Sequence, residues 1–141
     1  MRKNGQIIIV EDDVDDADIL KEIISELEYD NEIVVIHDST AVVDYLKQSD
    51  VNPFLVISDI NMPKMNGYEL RDLILNDPKL KLKSIPYIFC STSNDPQVIL
   101  SGYKRNIQGF FHKLADYNEY SKKVKVIMDY WKFAELPLIL S

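Results

Sequence analysis

Carboxylates crowd the segment that follows the first apolar run of this sequence. Residues 10–20 read VEDDVDDADIL, which places six acidic side chains directly behind Ile7-Ile8-Ile9-Val10. At a separation of about 4 Å, two like charges repel by roughly 4 kcal/mol at the effective dielectric of a protein surface. The cluster therefore requires a bound cation, a nearby basic side chain, or carboxylates that point away from one another.

Other polar side chains follow the later apolar runs of the chain. Asp59 comes after the third run, Ser91 and Thr92 after the fourth, and Lys113 after the fifth. Carboxylates with no nearby pair of Cys or His residues suit a hard cation such as Mg²⁺, and a lysine would balance the remaining negative charge. A carboxylate beside a cation can also act as a nucleophile towards phosphorus. These residue types predict phosphoryl chemistry if the fold brings them together.

Short β-rich runs alternate with stretches of helical period along the chain. The predicted strands are residues 7–10, 33–36, 54–58, 85–90 and 109–112. The first predicted helix carries an apolar stripe of Ile19, Leu20, Ile23, Ile24 and Leu27, and the last carries one of Tyr120, Val124, Ile127, Met128 and Trp131. Spacings of three and four residues place each set on one face of its helix.

Capping residues indicate where several helices begin or end. Asn94-Asp95-Pro96 offers an N-cap followed by a first-turn proline, and Asp116 with Glu119 is similar to a capping box. Asp77-Pro78 predicts a helix end, because the residue before a proline disfavours the helical conformation.

The alternation of strands and helices predicts an α/β fold in which a five-stranded parallel sheet is flanked by helices. In such folds the carboxyl ends of the strands form one edge of the sheet, and sites lie at that edge. We therefore expect the acidic residues that follow the first strand to meet Asp59, Ser91 and Lys113 there.

Length and composition narrow the class of protein. A chain of 141 residues with 46% hydrophobic content predicts one domain over residues 1–141, with a short apolar tail at about 136–141. The net charge of -7 argues against a nucleic-acid or anionic-membrane binder. Cys90 is the single cysteine, and residues 1–20 lack a signal-peptide pattern, so we expect a cytoplasmic protein.

In its motifs the chain resembles the receiver domain of two-component response regulators, of the stand-alone single-domain kind, over nearly its whole length. The family pattern is an acidic pair after strand one, an aspartate before Met-Pro-x-Met-x-Gly, a Thr or Ser after strand four, and a lysine after strand five. This chain has Glu11-Asp12, Asp59 followed by MPKMNG at 62–67, Ser91, and Lys113. The resemblance implies a (βα)5 flavodoxin-like, doubly wound fold.

The same resemblance implies how the acidic residues work. Asp59 would accept a phosphoryl group from a phosphohistidine of a sensor kinase. Asp12, Asp59 and the backbone carbonyl of Asn61 would ligate Mg²⁺, with Glu11 acting through water. Lys113 would contact a phosphoryl oxygen.

A switch is implied at the end of the fourth strand and on the fifth. Ser91, with Thr92 as the alternative one residue later, would bind another phosphoryl oxygen, and Phe110 would change rotamer with it. Phe110 lacks the hydroxyl of the tyrosine that the family often has there, and Leu114 stands where a proline usually follows Lys113.

The partners implied by the resemblance are proteins. They are a sensor histidine kinase or phosphotransfer protein, an unidentified downstream protein, and a second copy of the chain docked through the fourth helix, fifth strand and fifth helix. Neither nucleic acid nor membrane is expected as a partner.

Several residues that could do chemistry have a structural interpretation instead. Negative charge in a first helical turn meets the positive end of the helix dipole, which accounts for Asp15, Asp16 and Asp18 but leaves Asp13 unassigned. His37 and His112 lack metal-ligand spacing, Cys90 is expected to be buried, and Trp131 is expected to pack in the core or an interface.

Three other functions use the same architecture. A degenerate receiver would act only as a protein-interaction module, without phosphorylation of Asp59. An aspartyl-phosphate phosphohydrolase of the haloacid dehalogenase kind would also use an aspartate nucleophile, but its motif normally follows the first strand. A flavodoxin-like flavin or nucleotide binder would need a Gly- or Ser/Thr-rich phosphate loop where this chain has acids.

Overall fold

The computed structural model describes residues 2–137 and contains one five-stranded parallel sheet with the strand order β2-β1-β3-β4-β5. The strands are β1 (Ile7–Val10), β2 (Ile33–Ile36), β3 (Leu55–Ser58), β4 (Tyr87–Ser91) and β5 (Gly109–His112). The predicted α/β class and the parallel sheet are confirmed. Of the predicted apolar tail, residues 138–141 lie outside the described part of the chain.

Within residues 2–137, six α-helices connect and flank the strands. They are α1 (Val14–Glu26), α2 (Val42–Leu46), α3 (Gly67–Asn76), α4 (Pro78–Lys83), α5 (Pro96–Tyr103) and α6 (Tyr117–Phe133), with short 3-10 turns at Arg2–Asn4 and Ser39–Ala41. Between β3 and β4 the chain forms two helices where a regular alternation of strands and helices would have one. Asp77 ends α3 and also caps α4, because its side chain accepts from the backbone N–H groups of Lys79 and Leu80. The predicted fourth and fifth helices are therefore α5 and α6.

Two hydrophobic cores lie on opposite faces of the sheet. Helices α1 and α6 cover one face and pack on strand residues such as Ile9 and Ile57, whereas α2, α3 and α4 cover the other and pack on Ile8 and Val56. Every residue of β1, β3 and β4 is buried, as the apolar runs predict for central parallel strands. Of the two predicted helix stripes, only Ile19 is exposed, at 41%.

Lys83 connects two of these helices through a buried ammonium group. Its Nζ donates hydrogen bonds to the backbone carbonyls of Leu46 at 2.7 Å, Gln48 at 3.2 Å and Val51 at 2.8 Å, and the residue is only 6% exposed. The ammonium thus satisfies carbonyls at and beyond the end of α2, which otherwise have no intrahelical donor.

We expect Lys83→Met to lower the free energy of unfolding by about 3 kcal/mol, because hydrogen bonds from a charged donor are lost and buried carbonyls are left unsatisfied. Urea unfolding measures the loss. Lys81→Met, at an exposed position of the same helix, is the matched control and should change stability little. Equal midpoints for the two variants would contradict this account of Lys83.

Among residues 2–137, no helix is both long and apolar enough to cross a lipid bilayer.

Candidate functional site

Backbone hydrogen bonds continue past the strand ends and fix the first residue of each following loop. The N–H of Asp59 donates to the carbonyl of Val10 at 2.9 Å, and the N–H of Glu11 donates to that of Ile36 at 3.2 Å. The N–H of Lys113 donates to the carbonyl of Ser91 at 2.9 Å. All of these side chains therefore start from the same edge of the sheet.

Three carboxylates converge at this edge. Ligand oxygens of Glu11, Asp12 and Asp59 all lie within 4.8 Å of one another. Glu11 is buried, and the two aspartates are half-buried. Within the described chain this is the one group of His, Cys, Asp and Glu side chains with metal-binding spacing. An all-oxygen donor set suits a hard divalent cation, and such an ion would also offset the repulsion among the carboxylates.

Lys113 supplies the positive charge of the site. Its ammonium group forms ion pairs with Glu11, with Asp16 at 3.1 Å and with Asp59 at 3.5 Å. The side chain is mostly buried, so these interactions are less screened than ion pairs on an open surface.

The surroundings shift the pKa values of both members of the buried pair. Burial raises the pKa of Glu11 to about 7, and the charge of Asp59 adds to this, although the hydrogen bond from Lys113 opposes it. Burial alone would lower the pKa of Lys113, but the hydrogen bond to Glu11 and the charges of Asp59 and Glu11 outweigh it and raise this pKa above its usual value.

The loop after Asp59 turns the chain back beneath this carboxylate. Lys64 adopts a left-handed conformation with φ 65°, and the N–H of Met65 donates to the carbonyl of Pro63 at 2.7 Å. The N–H of Gly67 donates to the carbonyl of Ile60 at 2.7 Å. Asn66 then begins α3 with a capping box completed by Glu69.

Asn61 lies in the first part of that loop and is exposed. Its proposed contribution is the backbone carbonyl, which belongs to the same turn as Asp59. The assignment of this carbonyl as a metal ligand stays a prediction.

Ser91 and Thr92 differ in their environments at the end of β4. Ser91 is 2% exposed, and its Oγ accepts a hydrogen bond from the N–H of Ser93 at 3.2 Å, whereas Thr92 is exposed. Phe110 on the neighbouring strand is half-buried, with its ring 6.3 Å from that of Phe89 in an edge-to-face arrangement. The choice between the two hydroxyls and the switch role of Phe110 stay predictions.

Two roles in the acidic segment were not found from the sequence. Asp13 is the N-cap of α1, where its side chain accepts from the N–H of Asp16 at 3.0 Å. Its position directly before the helix could have indicated this. Asp16 was interpreted as a helix-dipole charge, yet it contacts Lys113. Asp15 and Asp18 are exposed, as solvated helix charges should be.

Two buried side chains, Cys90 and Tyr120, lie next to the charged residues of the site. Cys90 and Tyr120 line a cavity of about 10 Å³ together with Glu11, Asp59 and Lys113, and the Cys90 Sγ lies 3.2 Å from the Tyr120 hydroxyl. Cys90 is buried, as expected from the sequence.

The two histidines and the tryptophan lie outside the carboxylate group. A ring nitrogen of His37 lies 2.9 Å from the carbonyl of Glu11, and the ring of His112 packs edge-to-face on Phe110. Trp131, a residue of α6, packs against the hydrophobic core that this helix covers. These positions agree with the structural interpretation of all three residues.

We expect Asp12→Ala to weaken Mg²⁺ binding at least tenfold, because one of three clustered carboxylates is lost, while the metal-free protein becomes as stable or more stable through relief of repulsion. Mg²⁺ titration and thermal unfolding with and without a chelator measure the two effects. Asp15→Ala removes an exposed acid from the same segment and is the control. Unchanged Mg²⁺ affinity in Asp12→Ala would contradict the assignment.

Comparisons with known proteins agree with this arrangement. The family model described as the response regulator receiver domain matches residues 7–125. Response regulator Rcp1 of Synechocystis sp. is 26% identical over 130 residues, which cover 89% of this chain and 87% of that protein.

Solved structures show the same fold. That of the phosphorylated cyanobacterial phytochrome response regulator RcpA superposes with a TM-score of 0.85 at 29% identity, covering 96% of this chain and 99% of the other. The Mn²⁺-bound form of Rcp1 superposes with a TM-score of 0.81 at 26% identity, covering 95% and 99% of the two chains. A divalent metal is thus bound by a protein of this fold.

Proposed function

The chain belongs to the response regulator receiver domain family, and from this premise we propose that it accepts a phosphoryl group on Asp59 and thereby changes its protein-binding surface. The donor would be the phosphohistidine of a sensor histidine kinase or of a phosphotransfer protein. The role is regulatory, so the chain promotes only its own phosphorylation and dephosphorylation. A cytoplasmic location is part of the same proposal.

One observation carries the proposal: a half-buried aspartate lies between two further carboxylates and a lysine. In the transfer, an Asp59 carboxylate oxygen forms a bond to phosphorus while the P–N bond of the phosphohistidine breaks, and the histidine leaves with that electron pair. Lys113, 3.5 Å from Asp59, is placed to stabilise negative charge on the transferred group.

Mg²⁺ is the proposed cofactor. Asp12, Asp59 and the Asn61 carbonyl would hold it, and Glu11 would act through a water molecule, which fits the direct contact that Glu11 already makes with Lys113. When bound, the ion would neutralise charge on the phosphoryl oxygens. Glu11 is buried and the two aspartates are half-buried, which limits competition by solvent for the ion.

The proposed output surface comprises α5, β5 and α6. Exposed apolar side chains on it are Leu100 and Tyr103 of α5 and Val126, Tyr130 and Phe133 of α6. Apolar groups of this size at the surface favour docking of another protein. A downstream protein or a second copy of the chain is therefore proposed to bind here.

Incubation with Mg²⁺ and a small phosphodonor, followed by intact mass and peptide mapping, tests the proposal. We expect one phosphoryl adduct on Asp59 that disappears with a chelator and in Asp59→Asn. A protein that forms no such adduct would instead be a degenerate receiver. Sustained hydrolysis of phosphate esters in the same samples would point to a phosphohydrolase.

A further inference from the structure

Asp16 occupies a position that the proposed function does not use. It lies in the first turn of α1, yet its Oδ2 reaches across to the ammonium of Lys113 at 3.1 Å, closer than the 3.5 Å between Lys113 and Asp59. Asp15 and Asp18 of the same helix make no ion pair with Lys113 in the described structure. Among the three aspartates of α1, the contact with Lys113 is thus specific to Asp16.

We propose that Asp16 is a positioning residue for phosphoryl transfer. It holds Lys113 beside Asp59 while a divalent cation is bound by the other carboxylates. This inference rests on the proposed function. Asp16 acts through Lys113 and does not itself touch the phosphoryl group.

The hydrogen-bonding capacity of the lysine supports this role. A protonated lysine has three N–H donors and no acceptor; Lys113 donates hydrogen bonds to Glu11 and Asp16 and forms a longer ion pair with Asp59. Two of them, Glu11 and Asp59, also belong to the metal-binding group, whereas Asp16 does not. When a cation is present, Asp16 is the partner of Lys113 whose charge is not shared with that cation.

The electrostatics of the loaded site make such a partner necessary. A divalent cation at the three carboxylates would repel the nearby ammonium and push it away from Asp59. Asp16 attracts Lys113 from the side of α1 and opposes that displacement. Asp16 lies in the first turn of α1, where negative charge is favoured by the helix dipole.

The local structure holds Asp16 in place. Its backbone N–H is bound by the Asp13 cap, and the next residue, Ala17, is fully buried against the sheet. The carboxylate of Asp16 is half exposed, at 44%, so its loss should not leave a buried cavity. The site can therefore be probed without disrupting the fold.

The rate of adduct formation at saturating Mg²⁺ provides the first measurement. We expect Asp16→Asn to slow it about fivefold, Asp16→Glu to recover most of the rate, and the matched control Asp15→Asn to change it less than twofold. In a Lys113→Ala background, Asp16→Asn should cause no further slowing, because the partner through which it acts is absent. Slowing of the same size in both backgrounds would overturn the inference.

A second measurement does not depend on phosphorylation. In Mg²⁺-loaded protein, we expect NMR signals of the Lys113 ammonium protons to be protected from solvent exchange in wild type and Asp15→Asn, and to lose protection in Asp16→Asn. Retained protection would overturn the inference. If wild type forms no adduct, the proposed function fails, while this spectrum still decides whether Asp16 holds Lys113.

Discussion

Gly67→Ala is expected to lower the free energy of unfolding by about 3 kcal/mol and to slow phosphorylation of Asp59. A Cβ atom built on Gly67 would lie 2.4 Å from the carbonyl oxygen of Asp59, 2.9 Å from Cα of Ile60 and 3.1 Å from the ring of Phe89. The two nearest atoms belong to the backbone, so neither can move aside by rotating a side chain. The strain would therefore displace Asp59, the proposed phosphoacceptor.

Gly102→Ala is the matched comparison, because this glycine also lies in a helix against the same core. Its added Cβ would meet only side-chain atoms, the nearest being those of Ile107 at 3.0 Å and Phe89 at 3.1 Å. Alanine also favours a helix interior over glycine by about 1 kcal/mol. We expect a much smaller loss of stability and an unchanged phosphorylation rate.

Urea unfolding and the phosphorylation assay distinguish the two variants. If Gly67→Ala and Gly102→Ala unfold at the same urea concentration and are phosphorylated at the same rate, the close approach of α3 to Asp59 does not explain the glycine in the MPKMNG turn.

Strand positions were largely predictable, and the differences have a physical cause. Three of five strands have the predicted bounds, but β3 begins at Leu55 and β4 covers Tyr87–Ser91. Residues 54 and 86 form backbone hydrogen bonds with neighbouring segments. The N–H of Phe54 donates to the carbonyl of Gln6, and the carbonyl of Pro86 accepts from the N–H of Val56. Apolar composition therefore predicts burial and proximity to the sheet, while regular pairing decides the strand bounds.

The meeting of acids and lysine at one edge was predictable because parallel strands all present their carboxyl ends there. The contact between Asp16 and Lys113 was not predictable, since it depends on how α1 is rotated over the sheet. Hydrogen bonds from Lys83 to carbonyls at and beyond the end of α2 likewise join segments far apart in sequence. Periodicity identifies the buried face of each helix but not the partners that long polar side chains reach.

The segment between β3 and β4 is divided into two helices at Asp77-Pro78, and the second of them was not predicted for a similar reason. Asp77-Pro78 correctly predicts an end to α3, but the short stretch that follows carries no strong helical period. Its helix forms because Asp77 caps it and Leu80 packs into the core. Tertiary contact thus decides whether so short a helix exists.

The second large effect concerns the coupling between the site and the output surface. In the described state, Ser91 already accepts a hydrogen bond from Ser93, and Phe110 packs between Phe89 and His112. A phosphoryl group on Asp59 would offer new acceptor oxygens and extra negative charge to the Ser91 hydroxyl. Movement of Ser91 towards it would break its local contact and make room for deeper burial of Phe110.

We expect Ser91→Ala to abolish the response of α5, β5 and α6 to phosphorylation, with the fold retained. Phe110 carries no hydroxyl that must stay in water, so its burial costs less than that of a tyrosine, and wild type should already populate the active-like state in part. The phosphoryl group would then bias an existing equilibrium through its differential contacts with Ser91. Without the hydroxyl that bias is lost, even if Asp59 is still phosphorylated.

NMR shifts of the output surface, recorded with and without beryllofluoride as a phosphoryl mimic, measure this coupling in wild type, Ser91→Ala and Thr92→Ala. The exposed Thr92 is the control and also the alternative coupling residue. Loss of the shifts in Ser91→Ala alone would assign the coupling to Ser91, and loss in Thr92→Ala alone would move the assignment by one residue. Equal shifts in all three proteins would mean that neither hydroxyl transmits the signal, because the mimic would then reach Phe110 by another route.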